Sequence, residues 1–214
     1  MQRAFIETKY KGEIRLPKDL IEKLPKKVML STTIQFIDQL PEIRARLSAY
    51  HKEVFLFQSI HGRIPGQMLG CDNVKVRQEV DCFLYIGDGM FHPTALLVNE
   101  KPVFFYNPLS EKYDFLGKKD WEKSRLRKKV AMMKYLSAKR IGVLISVKEG
   151  QNKVQGIWEK VKEKLGGDDK QFFLFVGNEI RDLENFNFID CWVNTACPRI
   201  ADDFEKMVNL RDLL

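Results

Sequence analysis

No run in the chain approaches the ~20 uninterrupted apolar residues of a membrane span. The amino-terminal stretch MQRAFIETKYKGEIRL carries charges where a secretory signal needs an apolar segment. Together these absences lead to the expectation of a cytoplasmic protein. Cysteine is scarce as well: four thiols in 214 residues, without secretory targeting, argue against a disulfide framework and leave free cysteine or metal ligation. No Ser-His-Asp, H-E-x-x-H or Walker sequence is present.

What is present suffices for a core. With 44% hydrophobic residues, the chain can build one large or two small domains. Short apolar runs alternate with helical stretches, the pattern of a parallel sheet covered by helices, so the expected fold class is α/β. Strands are expected at AFIET, KVMLST, EVFLFQ, DCFLYIG, PVFFYN, IGVLISV, QFFLFVG and IDCWVNTA. Several are apolar on successive residues, as in strands buried on both faces. Helices are expected at TIQFIDQLPEIRARLSAYH, in the stretch after Cys71, over KKDWEKSRLRKKVAMMKYLSAKR, and over QNKVQGIWEKVKEKLGG with Gly166 and Gly167 as its stop. The segment NPLSEKYDFLGKKD carries neither signal and reads as a junction, giving domains at 1–112 and 113–214. In each half a cysteine-bearing apolar strand leads into a loop of small and polar residues, DCFLYIGDG and DCWVNTACP, which suggests a duplicated architecture.

The net charge of +7 suggests an acidic partner without naming it. It is densest between Lys118 and Arg140, where the only acids are Asp120 and Glu122. Trp121, Leu126, Val130, Met133 and Leu136 fit one face of that helix, read either as a solvated helix with an apolar seam or as a binding face.

In open α/β sheets ligands sit at the C-terminal ends of the strands. Cys82 and Cys191 fall inside apolar strands and read as small buried hydrophobes. Cys71 follows Gly66 and Gly70 at an expected loop-to-helix start, and Cys197 stands just past a strand end before Pro198 and Arg199. A helix N-terminus or a neighbouring arginine favours the thiolate, the species that binds metal or attacks an electrophile. Their separation matches neither zinc-finger nor ferredoxin spacing, so a shared metal site stays open. YIGDGMFHP offers Gly87, Asp88, Gly89 and His92 as a ligand-binding turn or as a tight turn with a capping aspartate.

The segments STTIQFIDQL, PGQMLGCD, VDCFLYIGDGMFHP, IGVLISVKEGQ and VNTACPRIADD, in that order, resemble the diphthamide-synthase family, the 2-(3-amino-3-carboxypropyl)histidine synthases. The resemblance runs from about Val28 to Asp203. It implies Rossmann-like parallel-sheet domains, here the family's second and third, with residues 1–27 as at most a remnant of the first. It implies a 4Fe-4S cluster held by one cysteine per domain, with Cys71 and Cys197 as two metal ligands and the first domain's ligand missing. The open iron position takes S-adenosylmethionine, for which Gly87, Asp88, Gly89, His92 and Arg199 are the candidate contacts. The implied reaction transfers a 3-amino-3-carboxypropyl group, by an unusual radical route, to a histidine of translation elongation factor two. The implied assembly is a homodimer, or a heterodimer with a chain supplying the missing cysteine. The alternative is a non-catalytic partner subunit lacking a complete cluster; direct nucleic-acid binding is not expected.

Overall fold

The computed structural model describes residues 6, 8–60, 62–72, 75–147, 154–165, 169–178, 180–202 and 204–213. The chain forms two compact units, one ending at Lys123 and one beginning at Ser124.

In the first unit a short helix, α1 (Lys18–Lys23), precedes β1 (Lys27–Thr32). A 3-10 turn (Ile34–Gln39) runs into α2 (Leu40–Ala49), where Pro41 stands in the first turn, a position that needs no amide donor. Leu40, Ile43 and Leu47 fall on one face of α2 and are buried. Then follow β2 (Glu53–Leu56), β3 (Cys82–Ile86), α3 (Phe91–Ala95), β4 (Val103–Asn107) and β5 (Lys112–Leu116). The sheet order is β2-β1-β3-β4-β5, parallel except for the antiparallel β4–β5 pair. β3 is buried along its whole length, because Cys82, Leu84 and Ile86 face the α1 and α2 side while Phe83 and Tyr85 face Phe57, Met68 and Leu96.

α4 (Lys118–Ser137) spans the division and is followed by β6 (Arg140–Ser146), α5 (Val154–Leu165), β7 (Gln171–Gly177), β8 (Cys191–Asn194), β9 (Met207–Asn209) and α6 (Leu210–Leu213). The second sheet is all parallel in the order β7-β6-β8-β9. One face buries Ile141, Val143, Cys191 and Val193 under α5 and the C-terminal half of α4; the other packs Leu144, Trp192 and Met207 with Phe173, Phe175 and Phe186.

The order β7-β6-β8-β9 repeats β2-β1-β3-β4. A local device repeats with it. Asp81 stands before β3 and accepts a hydrogen bond from the Lys27 amide at 2.8 Å; Asp190 stands before β8 and accepts one from the Arg140 amide at 2.8 Å. Each Asp-Cys pair thus fixes the start of one central strand against its neighbour, and Cys82 and Cys191 occupy matching places opposite Val28 and Ile141.

Hydrogen bonds from the Arg140 side chain and backbone hold the Asp190 carboxyl down at about 2. This folded value lies below the unfolded one near ~4, so its contribution is present above about pH 4 and fades as pH falls toward 2. Asp190→Asn should therefore cost about 1 kcal/mol at neutral pH, allowing for partial exposure of the pair, and less in acid. Urea midpoints at pH 7 and pH 3 check this: equal losses at both would refute the assignment.

Several expectations change. The strand expected at AFIET lies largely outside the described residues, as do Gly166 and Gly167. No helix follows Cys71 among the described residues; it sits in a turn, and 75–81 are irregular. The expected junction contains β5, an edge strand whose exposed Asp114 and Phe115 hide any apolar run, and the first unit continues to Lys123. On α4 the packed residues are Ala131, Tyr135 and Ala138 just beyond its end, with Trp121 against the first core, while Leu126, Val130, Met133 and Leu136 stay exposed.

Candidate functional site

In each sheet the chain moves outward in opposite directions from two adjacent central strands, β1 and β3 or β6 and β8. Ligands in such sheets bind beyond the carboxyl ends at this switch point. The loops gathered there carry Cys71 and the GDGMFHP segment in the first unit, and Cys197 in the second.

The Cys71 loop begins after β2 and returns across the end of β1. Met68 donates to Thr32 O at 2.7 Å and Thr32 to Gly66 O at 2.9 Å, while the Thr32 hydroxyl donates to Ile86 O at 2.6 Å. The turn itself is fastened by a buried carboxylate. Asp72 Oδ2 accepts from the Leu69 amide at 2.7 Å and from Ser59 Oγ at 2.6 Å, and Ser59 Oγ in turn accepts from the Gly62 amide at 2.6 Å. Cys71 remains half-exposed on this anchored turn. Gly70 lies so close to the Phe91 ring that any Cβ there would occupy the ring's place, which brings the Cys71 loop against GDGMFHP.

After β3 the backbone turns through Gly87 at φ 154° and Gly89 at φ 69°, the left-handed side that glycine tolerates. Asp88 Oδ1 accepts from the Gly89 amide at 2.8 Å and from Asn107 Nδ2 at 2.6 Å. That oxygen braces the turn. The His92 ring stacks on Tyr85 at 5.3 Å, and its Nδ1 shares a hydrogen bond of 3.1 Å with the Tyr85 hydroxyl. Burial, assisted by the Asp88 charge, pushes the Tyr85 hydroxyl well above its ordinary pKa, so it stays protonated and able to donate.

In the second unit Asn194, 2% exposed, ends β8 and holds the Cys197 loop. Its Nδ2 donates to Cys197 O and to Asn209 Oδ1, each at 2.8 Å, while its Oδ1 accepts from the Ala196 amide at 3.0 Å. Asn209 Nδ2 reaches Pro198 O at 3.1 Å, and Thr195 Oγ1 ties the loop to Leu144 O at 2.7 Å. Arg199, two residues on, pairs with Asp202 at 3.0 Å. Cys197, like Cys71, is half-exposed.

Cys82 and Cys191 differ in kind. Both are fully buried in strands, and desolvation pushes their thiols up to about 12 and about 11, so they stay protonated and inert. All four cysteines are free. Cys71 and Cys197 therefore have the chemistry of soft-metal ligands. Among the described residues, no group of three or more His, Cys, Asp or Glu is gathered where it could hold a metal ion. No helix there is long and apolar enough to cross a membrane.

A model of the diphthamide synthesis protein family matches residues 4–207. The chain belongs to this family. It is 32% identical over 190 residues to 2-(3-amino-3-carboxypropyl)histidine synthase of Pyrococcus horikoshii, covering 86% of this chain and 54% of that protein. Against the synthase of Methanocaldococcus jannaschii the identity is 30% over 195 residues, covering 87% and 50%. Dph2 from Pyrococcus horikoshii, solved also with a 4Fe-4S cluster, superposes with TM-scores of 0.76 and, with the cluster, 0.75 at 27% identity, covering 91% of this chain and 58% of that one. The chain thus spans about half the length of the curated relatives it matches, and the parallel α/β fold agrees with its solved neighbours.

Sequence reasoning missed Asp72, Ser59, Tyr85, Asn194 and Asn209. Asn194 had a signal: an amide inside the apolar run CWVN must find partners when buried. Asp72 follows Cys71 directly, but only the folded loop brings Ser59 to it.

Proposed function

We propose that this chain is part of a diphthamide-forming synthase in which Cys71 and Cys197 supply two thiolates to a 4Fe-4S cluster. The third thiolate comes from a further polypeptide segment, such as a second subunit. The observation that carries this is the contrast among the cysteines: two are inert in the core, while two are half-exposed on loops clamped at the switch points of a chain belonging to the family. When bound, a cluster with one open iron position would supply the electron that splits the bond between the sulfonium of S-adenosylmethionine and its aminocarboxypropyl carbon. The acceptor is a histidine of translation elongation factor two.

The residues here bind and orient. Gly87 and Gly89 keep the turn after β3 free of side chains where a cofactor approaches, and Asp88 fixes its shape. Tyr85 fixes the ring orientation of His92. Arg199, shared with Asp202, offers a guanidinium to a carboxylate near Cys197.

Anaerobic purification with a co-expressed synthase subunit, followed by iron and sulfide analysis and paramagnetic resonance of the reduced protein, tests the reading. Nearly four irons per cluster and a signal altered by S-adenosylmethionine are expected, with Cys71→Ser and Cys197→Ser each losing most of the iron. Iron retained in both variants would assign the cluster to the partner alone. The chain would then be a non-catalytic subunit.

A further inference from the structure

α4 is packed on one side only. Tyr135 and Ala138 are buried, Ala131 rests on the same core, and Tyr135 donates to Leu165 O at 3.4 Å. Lys128–Asp212 and Lys134–Glu205 pairs, at 3.3 and 3.5 Å, tie that side to the rest of the second unit. On the opposite side Leu126, Val130, Met133 and Leu136 are 61%, 41%, 59% and 64% exposed. Their steps of four, three and three residues place them in one row over three turns. At 100° per residue Arg125 and Lys129 flank Leu126, Val130 and Met133 on one side and Arg127 flanks them on the other, all three exposed. No acidic residue occurs from Ser124 to Ser137.

An apolar row left in water between basic rails marks an interaction surface. We propose that this face of α4 docks an acidic amphipathic segment of another protein, whose apolar side chains cover Leu126, Val130 and Met133 and whose carboxylates meet Arg125, Arg127 and Lys129. The charge selects an acidic partner, and the row selects its kind. Single-stranded RNA would be met by exposed aromatic side chains for its bases, and this row has none. A membrane-surface helix buries a broad apolar face, often with Trp or Phe, whereas the large aromatics of α4, Trp121 and Tyr135, pack inward. A helix laid along a helix uses anchors at the spacing found here.

The test titrates the intact chain against a fluorescein-labelled synthetic peptide of about twenty residues, rich in Glu with Leu at i, i+3, i+4 and i+7. Binding should weaken about tenfold or more in Leu126→Ser/Met133→Ser, and also when salt rises from ~50 to ~300 mM. Both side chains are exposed, so the variant should melt at the parent temperature. Arg125→Gln/Lys129→Gln provides a second variant, which should weaken binding without altering the melt. A scrambled peptide of the same composition should bind at least about tenfold more weakly, because it lacks the matching face. Equal binding of the scrambled peptide, or none of the ordered one, overturns the proposal. So does tighter binding of poly(U) RNA or phosphatidylserine vesicles that the same variants abolish, which would assign the face to nucleic acid or lipid.

Discussion

Asn194→Leu is expected to destabilise the second unit by about 3 kcal/mol and to release the loop that carries Cys197. Leucine keeps asparagine's branching at Cγ and its number of heavy atoms, so no cavity opens and the loss comes from the polar atoms. In the parent, one buried amide satisfies the Cys197 carbonyl, the Ala196 amide and the Asn209 side chain. Their partners vanish together, and each buried group left unmatched costs about 1–3 kcal/mol, non-additively. Asn209 also anchors Pro198 O, so its disturbance passes to the residue after Cys197. Urea unfolding measures the stability, and site-resolved alkylation by mass spectrometry measures Cys197, which should label several-fold faster. A loss under about 1 kcal/mol with unchanged labelling would show that the loop is held by other contacts.

The alternation of strands and helices was legible because most strands lie in the interior of a parallel sheet, where both faces demand apolar residues. KVMLST and DCFLYIG became β1 and β3 for that reason. Where this demand weakens, so does the signal. β5 pairs antiparallel at an edge and alternates polar with apolar, and it passed for a linker. Among the described residues the helix expected after Cys71 does not form, for another reason. The turn there is held by the Asp72 carboxylate, and an aspartate that binds backbone amides competes with helix formation. The seam on α4 was legible as a pattern but not as a location. Periodicity reports which residues share a face, and only the packed structure shows that Ala131 and Tyr135 face inward while the larger row faces solvent.

The four cysteines sort by the same logic. Cys82 and Cys191 lie within apolar strands, and burial follows from position alone. Cys71 and Cys197 lie past strand ends, which the sequence indicates. What steadies them are side chains remote in sequence, Ser59 for one loop and Asn209 for the other. The matching order of β2-β1-β3-β4 and β7-β6-β8-β9 shows that the two loops are not topological equivalents. Cys197 follows the third-ordered strand β8, where GDGMFHP follows β3, whereas Cys71 arrives from β2. The two units therefore present their thiols by different routes to similar places on similar sheets.

Asp72→Ala is expected to cost about 2–3 kcal/mol and to raise the reactivity of Cys71 while leaving Cys197 unchanged. Asp72 is 1% exposed, and its Oδ2 alone links the Leu69 amide to Ser59. Alanine orphans that amide and cuts the link between the two arms of the loop. Oδ1 meets no donor among the described residues, so half of this buried carboxylate is unsatisfied. A neutral acceptor of the same shape should therefore serve nearly as well. Asp72→Asn should accordingly cost less than half as much as Asp72→Ala, because its carbonyl still accepts from Leu69 while no charge is buried. Unfolding midpoints and alkylation of Cys71 distinguish the cases: alanine fast and destabilised, asparagine slow and near the parent. If asparagine proves as damaging as alanine, then the charge itself is required at this position.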